Sequence, residues 1–427
     1  MIEIIAIILQ IFFISVLCYF PKNIIKISGQ DNVAVPVSII YLSIFLLFLS
    51  FLGLALDYVK IILVIIFLIN LLFIYKDKNY KYFINYRFII FLIILFALSL
   101  NIAVDLKLGW DAQNYWLMKS LNFINGGSIL DLQNFPRPDY PHFGSYLWAV
   151  FRSVSFLDYE YFGRIFYLYI FLASIYSIVS IIEINDLNKS ILFILFIIIL
   201  NNNYFLSGYQ EILVFSYAVL IGCIFLNNKN KILELKNIIN LSICFFIIFW
   251  IKNEAIIFSF LFLISIIFLN LNYKKEIFIF LAFFAFIFLF KIILLKIYGL
   301  ETNLQSGNYE NFYIKNLTYY FSLDRIVLIL KYLMISYVKV PILILLTAGV
   351  FINYFTKSNK INKIMLLNFL LCFIFVVTAY IFTNFPIKFH LVSSIDRLVF
   401  ELAGFNFVTL TILFNNIKSK KLFKKFP

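Results

Sequence analysis

The chain has 427 residues, of which 64% are apolar and only 13% charged, against roughly 45–50% and about 25% in soluble globular domains. That composition, with mean hydropathy +1.00, excludes a soluble enzyme and points to a polytopic membrane protein without a separate soluble domain. The formal net charge of +14 belongs to topology and not to nucleic acid, because lysines on a membrane protein gather on cytoplasmic loops.

Taken in chain order, the apolar runs predict an all-α bundle of about 13 spans. The first, 1–20, carries Glu3 where a signal peptide would be basic and reads as a retained helix. The others are 34–56, 60–75, 88–104, 163–182, 190–206, 211–227, 238–251, 255–271, 277–298, 339–356, 364–384 and 398–415. Segment 143–157 is half a span long with Arg152 near its centre, and is expected to lie flat at the outer interface. With 105–142 outside, the loops 21–33, 76–87, 183–189, 228–237, 272–276, 357–363 and the tail from Asn416 face the cytoplasm. They hold 20 of the 35 Lys and Arg but 6 of the 21 Asp and Glu, as the positive-inside rule requires. The chain thus reads as one domain: N-terminal spans 1–104, an extracytoplasmic loop with its interfacial helix 105–162, a bundle 163–415 and a basic cytoplasmic tail 416–427. Cys18, Cys223, Cys244 and Cys372 sit singly in apolar runs and read as core residues. Enrichment in Ile, Phe, Lys, Asn and Tyr points to AT-rich coding and a bacterial source, hence the cytoplasmic membrane.

The longest hydrophilic excursion, 105–142, holds Trp110 and Trp116, with Trp148 just after it; the fourth tryptophan, Trp250, precedes Lys252-Asn253-Glu254. Aromatic faces beside carboxylates suit a sugar, which has an apolar C–H face and a polar rim. An interfacial aromatic belt is the plainer alternative. The stretch Gly109-Trp110-Asp111-Ala112, then Tyr115-Trp116, Lys119 and Pro138-Asp139-Tyr140-Pro141, resembles the first outer loop of bacterial GT-C-type membrane glycosyltransferases. These enzymes are relatives of the protein O-mannosyltransferases and aminoarabinose transferases. Three later pieces also resemble that family, in the same order: Ser207-Gly208-Tyr209-Gln210-Glu211, Ile251-Lys252-Asn253-Glu254-Ala255, and Ser393-Ser394-Ile395-Asp396-Arg397-Leu398. The chain departs from the pattern at Glu211, at Ala255 in place of glycine, and in having four spans before the loop.

The resemblance implies transfer, with inversion, of a sugar from a polyprenyl-phosphate donor to an acceptor hydroxyl on a glycan, glycolipid or protein at the outer face. Asp111 would be the general base. Lys252, Lys291 and Arg397 would hold the lipid phosphate, and Trp110, Tyr115, Trp116, Lys119, Asp139, Tyr140, His142, Glu211 and Glu254 would contact substrate. Asp111, Glu211 and Glu254 are together candidates for a divalent cation, Mg or Mn. The charges also predict that Lys252, Lys291 and Arg397, far apart in sequence, share one groove with Glu254. The alternatives are an O-antigen-type polysaccharide polymerase or ligase, whose large loops come late in the chain, and a lipid-linked-sugar transporter or flippase, which would show internal repeats and broken helices.

Overall fold

The computed structural model describes residues 1–19, 34–76, 85–200, 206–227, 233–300, 320–357, 359–383 and 386–418; the basic residues Lys420 to Lys425 of the predicted tail lie outside them. Among the described residues there is no strand. The helices are α1 (Ile2–Leu17), α2 (Ala34–Phe51), α3 (Leu56–Lys76), α4 (Tyr86–Val104), α5 (Leu117–Ile124), α6 (Phe143–Ser153), α7 (Tyr161–Ser180), α8 (Asp186–Leu200) and α9 (Glu211–Asn227). They continue with α10 (Leu235–Phe249), α11 (Glu254–Phe268), α12 (Lys274–Ile297), α13 (Leu323–Lys339), α14 (Ile342–Thr356), α15 (Lys360–Ile381), α16 (Ile387–Asn406) and α17 (Val408–Lys418).

Runs rich in Ile, Leu and Phe make long helices, because only a helix satisfies its own backbone in an apolar medium. Five of them, α3, α4, α7, α12 and α15, are long and apolar enough to cross a membrane; there are seven if the bent pairs α13–α14 and α16–α17 each count as one. The chain is an integral membrane protein of helical type. α7 is buried along almost its whole length and forms the centre. α3 and α12 leave Ile61, Ile65, Leu68 and Leu72, and Phe278, Phe286, Leu289 and Ile293, exposed. A surface of that apolarity belongs against lipid.

The connections gather at two ends. At one, Arg87 pairs with Asp186 at 3.3 Å, the Glu183 amide donates to Asn415, and Asn353 links α14 to Asn362 and Asn416. At the other, the Gly109 amide donates to the Ser207 carbonyl at 2.8 Å and the Phe143 amide to the Trp250 carbonyl at 2.9 Å. The segments that carry the resemblance therefore meet at one end.

Three expectations change. Segment 143–157 does not lie with a free face: α6 is buried from Phe143 to Phe151, covered by α7 on one side and α5 on another. Its one charge, Arg152, sits in the last turn and reaches Asp158 at 2.7 Å. The run expected over 339–356 starts at Ile342, and a separate helix, α13, precedes it and turns by 100° into it at Pro341. The last run, expected over 398–415, starts earlier, at Ile387, and bends by 50° at Phe407.

Candidate functional site

Loop 105–142 is fastened to the bundle by close backbone approaches. A side chain at Gly109 would begin 2.0 Å from the Tyr209 ring, so only glycine lets this loop lie on that tyrosine. Gly208, with φ +75°, makes the facing turn, in a conformation that L side chains rarely adopt. The next turn, Ala112–Trp116, is a π-helical turn that runs into α5. Asp111 stands at its start and does not cap it: its carboxylate turns instead to Arg397 of α16, which donates to Asp111 Oδ2. Arg397 also faces Glu211 Oε1 at 3.3 Å, and its guanidinium lies 5.3 Å from the centre of the Tyr209 ring.

Glu211 opens α9, and Lys252 lies in the short break between α10 and α11. The Lys252 ammonium donates to Glu211 Oε1 at 2.9 Å and to Glu401 Oε1 at 2.7 Å. Four segments thus supply one chain of charges, running Asp111, Arg397, Glu211, Lys252, Glu401. Above it is a cavity of about 40 Å³ lined by Asp111, Trp116, Tyr140, Pro141, Lys252, Asn253, Glu254 and Arg397. Trp116 and Tyr140 stack at 5.5 Å between ring centres, and Tyr115 and Trp110 extend the aromatic wall edge to face. Trp110 is 63% exposed at its outer limit.

Of the residues singled out in the sequence, Asp111, Trp116, Tyr140, Lys252, Glu254 and Arg397 line this cavity, and Glu211 lies directly beneath. Lys291 is one step removed. It donates to the Phe249 carbonyl and to Asn253 Oδ1, both at 2.7 Å, and so meets the cavity through Asn253. Of the three sequence-distant cations, Lys252 and Arg397 share Glu211, while Lys291 holds Asn253 beside Lys252 and does not line the cavity.

Lys119 and His142 do not reach the cavity lining. Lys119 is fully buried and its ammonium is held by the carbonyls of Arg137 and Tyr140, at 2.8 and 2.7 Å. Arg137 has φ +55°, which turns that loop across the lysine. Burial pushes the Lys119 ammonium down to about 7, with nearby Asp139 working against the shift; Asp139 is itself pushed up by burial. His142 packs among Phe51, Phe123 and Trp250, with its Nε2 3.0 Å from Ser50 Oγ. Burial lowers it to about 3, so it is a neutral core histidine.

Two of the three carboxylates named as candidates for a divalent cation are engaged by cations instead. Asp111 and Glu211 are both turned onto Arg397, and Glu211 onto Lys252 as well, so a metal there would stand beside two fixed cations. Among the described residues, no three His, Cys, Asp or Glu side chains are grouped as metal ligands.

Glu401, Asn253 and Tyr209 are the site residues that sequence reading passed over. A carboxylate inside the apolar run 398–415, four residues after Arg397 and therefore on its face, was the available signal for Glu401. A second, larger cavity of about 920 Å³ lies around the first turns of α10, α12 and α15, with Lys275, Lys357 and Lys360 on its rim. It is at the far end of α10 from Lys252, about 22 Å away at 1.5 Å per helical residue, and holds none of the residues above. No protein-family model, curated protein or solved structure matches the chain.

Proposed function

We propose that the protein is a membrane glycosyltransferase of GT-C type. It moves a sugar from a polyprenyl-phosphate donor to an acceptor hydroxyl, at the extracytoplasmic end of a bundle of about 13 spans in a bacterial cytoplasmic membrane. One observation carries the reading: Asp111, Glu211, Lys252 and Arg397, drawn from four distant segments, form a buried charge cluster under an aromatic-walled cavity at a single end of the bundle. Intramembrane ionisable residues are costly, and a cluster of them marks a functional site by default.

In this reaction the acceptor oxygen attacks the anomeric carbon, and the bond from that carbon to the phosphate oxygen breaks with its electron pair leaving on the phosphate. The acceptor's proton passes to the Asp111 carboxylate, and the configuration at carbon inverts. Lys252 and Arg397 take the charge that develops on the leaving phosphate, Arg397 through its planar fork and Lys252 as a point charge. Trp116 and Tyr140 offer apolar faces to the sugar ring. The cavity has room for one or two waters rather than a sugar ring, so loop 105–142 has to lift for substrate to enter.

The test is release of undecaprenyl phosphate from undecaprenyl-phosphate-linked hexoses and pentoses by the purified protein with cell-envelope glycans as acceptors. Asp111→Asn is expected to lower the rate by about 10²–10⁴-fold, the usual loss with a general base, while the unfolding midpoint stays put. Release by the variant at the wild-type rate removes Asp111 from the role.

A further inference from the structure

The charges beneath the cavity do not balance. Among the described residues, Asp111, Glu211 and Glu401 form ion pairs with Lys252 and Arg397 alone, three carboxylates on two cations. Glu211 and Glu401 are 1% and 0% exposed, and the second oxygen of each, Oε2, is buried without a hydrogen-bond partner, as is Arg397 Nε. A buried acceptor left unmet is costly, and a surplus of buried negative charge costs more. Moreover, the Lys252 ammonium already gives two of its three hydrogens to carboxylates, so an incoming phosphate competes with Glu211 and Glu401 for it.

We infer that Glu401 is a positioning residue for phosphate capture: it holds the Lys252 ammonium at the cavity floor and gives it up to an arriving phosphate oxygen by taking one proton from water. Glu401 is suited to this role and Glu211 is not, because Glu211 is also tied to Arg397 whereas Glu401, among the described residues, pairs with Lys252 alone. The groups around Glu401 are Glu211 on α9, Lys252 and Glu254 at the α10–α11 break, and Arg397 one turn earlier on α16; Tyr380 of α15 faces Lys252 and Arg397. Glu211 and Glu254 are like charges beside Glu401 that an added anion reinforces, and a proton on Glu401 removes the third. The O–H bond formed on Glu401 replaces the bond that this proton had to a buffer acid in the bulk water, which is left as its conjugate base, and Lys252 keeps its charge throughout.

The inference rests on the proposed use of this cavity for a phosphate monoester, lipid-borne or free. It is tested by calorimetry on the full chain in phosphatidylcholine nanodiscs, with undecaprenyl phosphate in one arm and inorganic phosphate in the other. Each arm is run between about pH 8.5 and 9.5 in two buffers of different ionisation heat. The second ionisation of a phosphate monoester, at about pH 6, and that of inorganic phosphate, about one unit higher, are complete in this range. The wild type is expected to take up about one proton per phosphate bound, so that affinity falls about tenfold per pH unit as the pH rises. Uptake in both arms assigns recognition to the phosphate itself; uptake with undecaprenyl phosphate alone assigns it to the lipid form. In Glu401→Gln, where the amide oxygen still accepts from Lys252, binding should persist while uptake and pH dependence vanish. Phosphate binding without proton uptake, or uptake unchanged in Glu401→Gln, overturns the inference and leaves the proposed function standing. Absence of binding in both arms overturns both. The wild-type measurement needs no variant, so it decides even if Glu401→Gln does not fold.

Discussion

Lys119 shows what burial does to a single charge in the outer loop. It has no exposed surface, and its ammonium is pushed down to about 7 from an ordinary value of 10.5. Between those values the unfolded chain holds a proton on this lysine that the folded chain does not, so stability rises with pH across that window, by up to about 1.4 kcal/mol per pH unit. The unfolding midpoint should therefore climb from pH 7 to pH 9 in the wild type and stay flatter in Lys119→Met; an equal climb in both would show that other groups govern it. From sequence, Lys119 and His142 are as good substrate contacts as Lys252, because residue type does not tell which way a loop side chain turns. Arg137 at positive φ and the aromatic cage around His142 decide that, and both arise from tertiary packing. Asp111, Lys252 and Arg397 were legible as a group because each sits in a polar break between apolar runs. Glu401 was not, because it interrupts an apolar run by one residue.

α16 is the element that assembles the site. Arg397, Glu401 and Gly404 recur at helical spacing and so share one face, which packs on α9. At Gly404 a Cβ would meet the Phe215 backbone, 2.8 Å from its Cα and 2.9 Å from its carbonyl oxygen, and backbone does not yield as a side chain can. Phe215 also stacks on Phe400 at 4.6 Å, so this close approach fixes Glu211 against Arg397 and Lys252. Gly404→Ala should cost about 1–3 kcal/mol through overpacking. Gly349→Ala in α14, where the nearest atoms are side chains at 3.5 Å, should be neutral or stabilising, since alanine favours a helix. Equal unfolding midpoints for the two variants would refute the close-packing account. Helix boundaries were legible where an apolar run ends in charge or proline. The 100° turn at Pro341 and the covered faces of α6 were not, because they depend on what each helix packs against.

At the scale of the molecule, connections from distant parts of the chain meet at two ends, and the end opposite the site holds Lys275, Lys357 and Lys360 around its cavity. The proposed function, with the positive-inside rule, puts that end in the cytoplasm and loop 105–142 outside. The four native cysteines are buried, so a cysteine introduced at exposed Asn134 should react with an impermeant maleimide on intact cells, and one at Lys275 only after lysis. Labelling of the Lys275 position from outside would invert the topology. The central claim is that the cavity bounded by Asp111, Lys252 and Arg397 is where a polyprenyl phosphate is turned over. An experimental structure of the protein with undecaprenyl phosphate bound tests it most directly. The phosphate should lie within hydrogen-bonding distance of the Lys252 ammonium and the Arg397 guanidinium, with loop 105–142 lifted from its present position. A phosphate lodged at the Lys275, Lys357 and Lys360 rim, with the Asp111 cavity still closed, would contradict it.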